Sequence, residues 1–173
     1  MHQIVIDKFD LQILAALQRR GNATNSALSE EVHLSSSQIS RRVNRLEQSG
    51  IISGYAALLD PAAIGLGVSA FAQVILERHG ETSSDAFERA VAALPDVVEC
   101  FSVSGDADYV LRIVAPDLAA FSELMMKRIL RLPGLAHIKT NIALKRVKHT
   151  NVLPLEHVSR ASQPLQRVQY SDS

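Results

Sequence analysis

Cysteine is almost missing from this chain: Cys100 stands alone among 173 residues. That excludes a disulfide framework and any zinc site built on cysteine pairs. Lying within the apolar stretch VVECFSVS, Cys100 is expected to be a buried, inert small hydrophobe. Long apolar runs are missing as well. None reaches the roughly 18 residues that cross a bilayer. The opening MHQIVIDKFD has neither the basic start nor the small-residue cleavage site of an export signal. The reading is a cytoplasmic protein without a membrane partner. What the chain does have is a 47% hydrophobic content, enough for one compact domain or two small ones, each with its own core.

Net charge is the third absence, with 18 basic against 18 acidic side chains. An even spread would argue against nucleic acid, but the spread is uneven. Residues 1–60 carry six of each sign, residues 61–123 three basic and ten acidic, residues 124–155 seven basic and no acidic, and residues 156–173 two of each. The basic block can be a contact surface for phosphate or for an acidic part of a partner subunit. The plain alternative is a solvated helix and strand face.

Three helices are expected in the first 50 residues. Asp7 and Asp10 form an N-cap and its reciprocal partner, followed by Phe9, Ile13, Leu14 and Leu17 at helical spacing up to Arg19–Arg20. A short second helix fits Thr24 or Asn25 to Val32, burying Leu28 and Val32, with His33 at a turn position that favours positive φ. Ser35 and Gln38 make a capping box that starts the third helix at Ser36, and Gly50 closes it. Two helices joined by a short turn, the second strongly capped, make a helix-turn-helix.

After Gly50 the hydrophobic period changes. ISGYAALLD and VSAFAQVILE read as strands, and SSDAFERAVAAL as a helix opened by serine N-caps. VVECFSVS and ADYVLRIVA read as strands joined by a tight turn at Gly105–Asp106, DLAAFSELMMKRILRL as a helix capped by Asp117, and LAHIKTNIALKRVK as a last strand. Without the first of these strands the order is β-α-β-β-α-β, so the fold class is α+β: an N-terminal helix-turn-helix followed by a ferredoxin-like sandwich. The boundaries are a helix-turn-helix domain at 1–51, a strand linker at 52–67, a sandwich domain at 68–153, and a loosely held tail at 154–173.

The third helix carries the chemistry. With about 100° per residue, Val43 and Leu46 fall within about 40° of Ile39, while Ser37, Arg41, Asn44 and Gln48 gather on the opposite side. Ordinary solvent-facing helices carry glutamate and lysine in i,i+4 pairs; here the first acid after the cap is Glu47. The candidate DNA-binding residues are Ser36, Ser37, Gln38, Ser40, Arg41, Asn44 and Arg45: hydroxyls, amides and guanidinium groups suited to phosphate and base edges. Arg42 points to the buried shoulder, where an ion pair with Glu30, Glu31 or Glu47 is the better reading. So few cations bind weakly alone, which calls for two such helices acting together on double-stranded DNA.

The stretches IDKFDLQILAALQ, ALSEEVHLSSSQISRRVNRLEQSGIISGYAALLDPAAIGL, LPDVVECFSVSGDADYVLRIVAPDLAAF and LPGLAHIKTNIALKRVKHTNVLPL together resemble the Lrp/AsnC family of leucine-responsive and asparagine-responsive transcription regulators. The resemblance covers residues 6–155 and departs from the family pattern at Ser29, where alanine is usual, and at His33, where glycine is usual. It implies a winged helix-turn-helix, a strand linker at 52–60, and a βαββαβ domain that forms homodimers assembling to an octamer. It also implies a free amino acid as effector and an address on the bacterial or archaeal nucleoid.

Gly105, Asp106, Asp108, Tyr109 and Thr140 are the candidate effector-binding residues. Two carboxylates without a histidine or third acid make a poor metal cage, and no nucleophile arrangement accompanies them, so neither a metal, a cofactor nor a catalytic residue is expected. A clamp fits better: an aspartate for an α-ammonium and backbone N–H groups near glycine for a carboxylate. The plain alternative is a good hairpin turn capped by Asp108. Two rival functions remain on this fold. One is a sirohaem-type tetrapyrrole decarboxylase using His137 and His149, against which the intact arginine and serine face speaks; the other is an architectural DNA-binding protein indifferent to ligands.

Overall fold

The computed structural model describes residues 4–77, 81–160 and 168–171, and of residues 81–83 the backbone alone. The elements in chain order are β1 (Ile4–Ile6), α1 (Lys8–Arg19), α2 (Asn25–Val32), α3 (Ser36–Gln48), β2 (Val68–Leu76), α4 (Glu81–Ala92), β3 (Val97–Ser102), β4 (Tyr109–Ala115), α5 (Leu118–Lys127), β5 (Leu135–Ile142), α6 (Glu156–Ser159) and β6 (Val168–Tyr170). They fall into two compact units, residues 1–57 with 148–173 and residues 58–147.

In the first unit the capping chemistry read from the sequence is present. Asp7 accepts hydrogen bonds from the Phe9 and Asp10 N–H groups, and Asp10 accepts from the Asp7 N–H in return. Ser35 and Gln38 form the matching box at α3. His33 closes α2 with φ of 58°. The Ser29 hydroxyl donates to the Leu34 carbonyl, so the residue that departs from the usual alanine ties down the turn. Ile13, Leu14, Leu17, Leu28, Val32, Ile39 and Leu46 are buried in one core, with Val43 packed at its edge.

An ion-pair cluster locks α1 to α3. Asp10, fully buried, receives Arg42 at 2.8 Å and Arg45 at 2.5 Å, and Arg42 also reaches Asp7 at 2.9 Å. Burial works to raise the Asp7 carboxyl, but the Asp10 N–H and Arg42 outweigh it and hold it below the ordinary 3.8. Sequence reading had Arg42 ion-paired, but to the wrong acids: Glu31 is taken by Arg19 and Arg20, and Glu47 accepts from the Tyr55 hydroxyl.

Two expectations about this unit fail. The segment ISGYAALLD forms no strand, since no other described segment supplies a ladder for it. The tail is not loosely held where described: β6 pairs in parallel with β1, Ser171 N–H donates to the Ile6 carbonyl at 2.9 Å, and Val158 of α6 is buried in the helical core. Gln18 holds the approach to it, accepting from the Leu153 N–H and donating to its carbonyl. Residues 161–167 and 172–173 of that tail lie outside the described residues. The tail's apolar residues are too sparse to show a period, yet Leu155, Val158, Val168 and Tyr170 each pack on the helical core.

The second unit is the βαββαβ arrangement, a four-stranded antiparallel sheet in the order β3-β4-β2-β5. Ala70, Ala72 and Val74 of β2 with Leu111 and Ile113 of β4 form its core with Phe87 and Val91 of α4 and Phe121 of α5. The last strand ends at Ile142 rather than at Lys148. Helix α4 begins at Glu81, so Ser83 and Ser84 lie inside it; a capping role for the Ser83 side chain falls outside the described residues. Cys100 is exposed on the edge strand β3, not buried. Partial burial and then the Glu88 carboxylate push its thiol above the ordinary value, which keeps the thiolate scarce.

Val158→Asp is expected to destabilise the first unit by at least about 1.5–3 kcal/mol, the worth of a buried valine side chain, and to leave the second unit's unfolding unchanged; urea denaturation followed in each unit reads both. A carboxyl whose folded pKa is depressed contributes stability above its unfolded pKa and loses it as pH falls through the folded value. Asp7→Asn keeps a competent N-cap, so this variant should flatten the loss of stability below about pH 4. An unchanged acid limb in urea melts would contradict the Asp7–Arg42 pairing.

Candidate functional site

Helix α3 is held by its apolar stripe and its capping box, which leaves the opposite face free. Ser37, Ser40, Arg41, Asn44, Arg45 and Gln48 line one continuous groove along it. Five of these were expected from the sequence as DNA contacts; Gln48 joins them, as its position on the outward face implied. Ser36 and Gln38 do not line the groove. Gln38 spends its side-chain carbonyl on the Ser35 N–H and hydroxyl, leaving only its NH2 group for a base or phosphate. Ser36 opens the helix, fully in solvent range, beside the cap.

The arginines divide by partner. Arg41 is exposed and has no acidic partner among the described residues. Arg42 is bound by Asp7 and Asp10 and lies over the Phe9 ring at 5.5 Å from its centroid, which removes it from the groove. Arg45 does both: it lines the groove with its side chain 46% exposed, yet one guanidinium nitrogen bonds Asp10. The sequence carried a signal for this. Asp10 lies at helical spacing from Ile13, Leu14 and Leu17, so it falls on the buried stripe of α1, and a buried carboxylate demands cationic partners.

In the second unit the strand register sorts the candidate effector residues onto two sides. Partners directly opposite on antiparallel strands share a face. Tyr109 pairs with Val74 and Thr140 with Ala72, so both lie on the helix-covered side. Tyr109 is buried and its hydroxyl donates to Glu88 at 2.7 Å; that bond, and then burial, raise its pKa. Asp108 accepts the Leu76 N–H at 2.8 Å, tying the β3–β4 loop to β2. Tyr109 and Asp108 are engaged in the fold, and neither they nor Thr140 line the pocket that holds Asp106.

Asp106 instead joins a pocket of about 160 Å³ with Gln73, Ile75, Ala107, His137, Ile138 and Lys139. Gln73 faces Lys139 and Ile75 faces His137 across the β2–β5 ladder, on the side of the sheet away from α4 and α5. The connection from β3 to β4 is a six-residue loop rather than a two-residue turn, closed by the Val103 N–H on the Asp108 carbonyl. Gly105 has φ of 124° there, a conformation that L side chains rarely adopt, although a Cβ would meet nothing within 4 Å. The pocket can therefore set a carboxylate against an ammonium with apolar walls between. His137, Gln73 and Lys139 were not assigned to this site from sequence, because alternation gives two faces and only the register says which faces Asp106. Among the described residues no cluster of three metal-ligating side chains occurs.

Known proteins share both halves. Residues 6–53 match the winged helix-turn-helix DNA-binding model and residues 69–153 the Lrp/AsnC ligand-binding domain. The leucine-responsive regulatory protein of Escherichia coli K12 is 37% identical over 151 residues, covering 87% of this chain and 92% of that protein. A transcriptional regulator of Neisseria meningitidis, solved as an L-Met complex, superposes with a TM-score of 0.85 at 39% identity, covering 88% of this chain and 98% of the other. An AsnC family regulator of Agrobacterium tumefaciens gives 0.84 at 32% identity, covering 88% and 99%. On this evidence the chain belongs to the Lrp/AsnC family of transcriptional regulators.

Proposed function

We propose that this regulator binds double-stranded DNA sequence-specifically through the outer face of α3, and that a free amino acid held at Asp106 changes its operator affinity. The observation that carries the DNA half is the groove itself: six polar or cationic side chains, no acid, and Arg41 without an ionic partner among the described residues. Ser36, Ser37, Gln38, Ser40, Arg41, Asn44 and Arg45 are the contacts, Arg41 and Arg45 on phosphate or a guanine edge and the shorter side chains on bases and backbone.

For the effector, an α-ammonium fits Asp106 and an α-carboxylate fits Lys139 and His137, with Ile75 and Ala107 against an aliphatic side chain. The Neisseria relative's L-Met complex supports this ligand class. The protein acts as a regulator rather than an enzyme, and works in the cytoplasm on nucleoid DNA. The uncovered side of the sheet, where Phe71, Ile75 and Phe101 are exposed, supports homodimerisation; an octamer of four dimers would bring several α3 pairs to one DNA. The amino acid acts by its differential affinity for two assemblies, a coupling typically worth about 1–3 kcal/mol.

Arg41→Ala is expected to weaken binding to a duplex selected from a random library by about 1–3 kcal/mol if it reads a base, or to reduce the salt slope by about 1 if it holds phosphate. Unchanged gel-shift affinity and slope would remove this face from DNA. In a thermal-shift screen of the twenty amino acids, a ligand at 100 times its Kd should add about 2.7 kcal/mol of apparent stability. Asp106→Asn should abolish that shift and Thr140→Val should retain it; the reverse pattern would place the effector on the helix-covered side of the sheet.

A further inference from the structure

Asp10 is the one fully buried charged side chain among the described residues, and it has two cations. Its Oδ1 accepts from Arg42 and its Oδ2 from Arg45 and the Asp7 N–H. The two arginines are not equivalent. Arg42 is 20% exposed, and Asp7 and the Phe9 ring hold it as well; Arg45 is 46% exposed and its only ionic partner among the described residues is Asp10. Arg42 divides its charge between Asp7 and Asp10, whereas Arg45 gives its ionic contact to Asp10. With Asp7 and Asp10 set against Arg42 and Arg45 the cluster is neutral, and of its two cations Arg45 is the one that also lines the α3 groove.

We propose that Asp10 is a positioning residue for DNA reading: it grips Arg45 by one nitrogen and fixes the remaining N–H groups of its guanidinium in the groove. This rests on the reading of α3 as the DNA-contacting helix. An unrestrained arginine on a surface helix is a mobile cation that meets any nearby phosphate, and such contacts raise affinity without sequence information. A guanidinium held in one orientation meets a guanine edge or one phosphate in one register and loses little rotamer freedom on binding. Because the grip comes from α1, it also transmits any shift of α1 relative to α3 to the reading group.

The test is a double-mutant cycle on the full chain, with a library-selected duplex and a scrambled duplex as probes. Asp10→Asn should reduce the ratio of selected to scrambled affinity by about tenfold, within what one well-placed side chain supplies. Arg45→Gln should reduce it comparably, and the double variant no further than Arg45→Gln alone. The cycle cancels the charge that Asp10→Asn removes, which would strengthen binding to both duplexes in either background. Additive losses, or an unchanged ratio in Asp10→Asn, would overturn the proposal and leave Asp10 a purely structural group. Should Asp10→Asn fail to fold, arginine-selective NMR of the unaltered protein decides: hindered rotation of the Arg45 guanidinium, with and without the selected duplex, supports the grip, and free rotation overturns it. If Arg41→Ala and Arg45→Gln both leave selected-duplex affinity unchanged, the DNA reading of α3 itself has failed, whatever the cycle returns.

Discussion

The DNA-binding unit depends on one buried carboxylate. A charge taken out of water is costly unless paired and hydrogen-bonded, and Asp10 is both, through Arg42, Arg45 and the Asp7 N–H. That requirement adds a directional constraint on the azimuth of α3 against α1, the ion pair at 2.8 Å, to the apolar packing of Ile39 and Leu46. The same cluster caps α1, through Asp7, and so sets where the helix begins. Orientation of the outer face of α3 and the start of the supporting helix are thus one electrostatic arrangement.

The second unit solves a different problem, presenting a loop and a sheet face at once. One side of the sheet is sealed by α4 and α5, with the Phe87 ring of α4 packed on Tyr109 of β4 at a tilt of 41°, centroids 4.8 Å apart. The other side stays open and carries Gln73, Ile75, His137 and Lys139 beside Asp106. Asp108 joins the loop to the sheet: its carboxylate anchors the loop to β2, and Asp106, two residues before, lines the pocket. Paired aspartates of similar appearance in the sequence differ in their surroundings: Asp108 is bound to the Leu76 N–H, while Asp106 lines the pocket.

Much of this was legible in the sequence wherever the cause was local. Asp7 with Asp10, Ser35 with Gln38, and His33 at positive φ follow from helix-end chemistry within a few residues, and the βαββαβ order follows from changes of period. What escaped depends on distant partners. The β1–β6 pair joins segments from opposite ends of the chain, and parallel pairing leaves no hairpin signature. Tyr109 and Thr140 were placed near the effector because they adjoin the glycine loop or its neighbouring strand, but a side chain's face is set by register, and one position decides it. The tail looked loose by composition, yet Val158 alone contributes a buried side chain to the helical core.

The account stands or falls on thermodynamic linkage between the two units. Reciprocity requires that an amino acid which changes operator affinity by some factor has its own affinity changed by the operator by the same factor. Isothermal titration of the full chain, with the amino acid in the presence and absence of saturating selected duplex and with the duplex in the presence and absence of the amino acid, measures both arms. Matching factors of about 5–150 are the result this account predicts; DNA affinity indifferent to every amino acid would contradict it and leave a DNA-binding protein without an amino-acid effector.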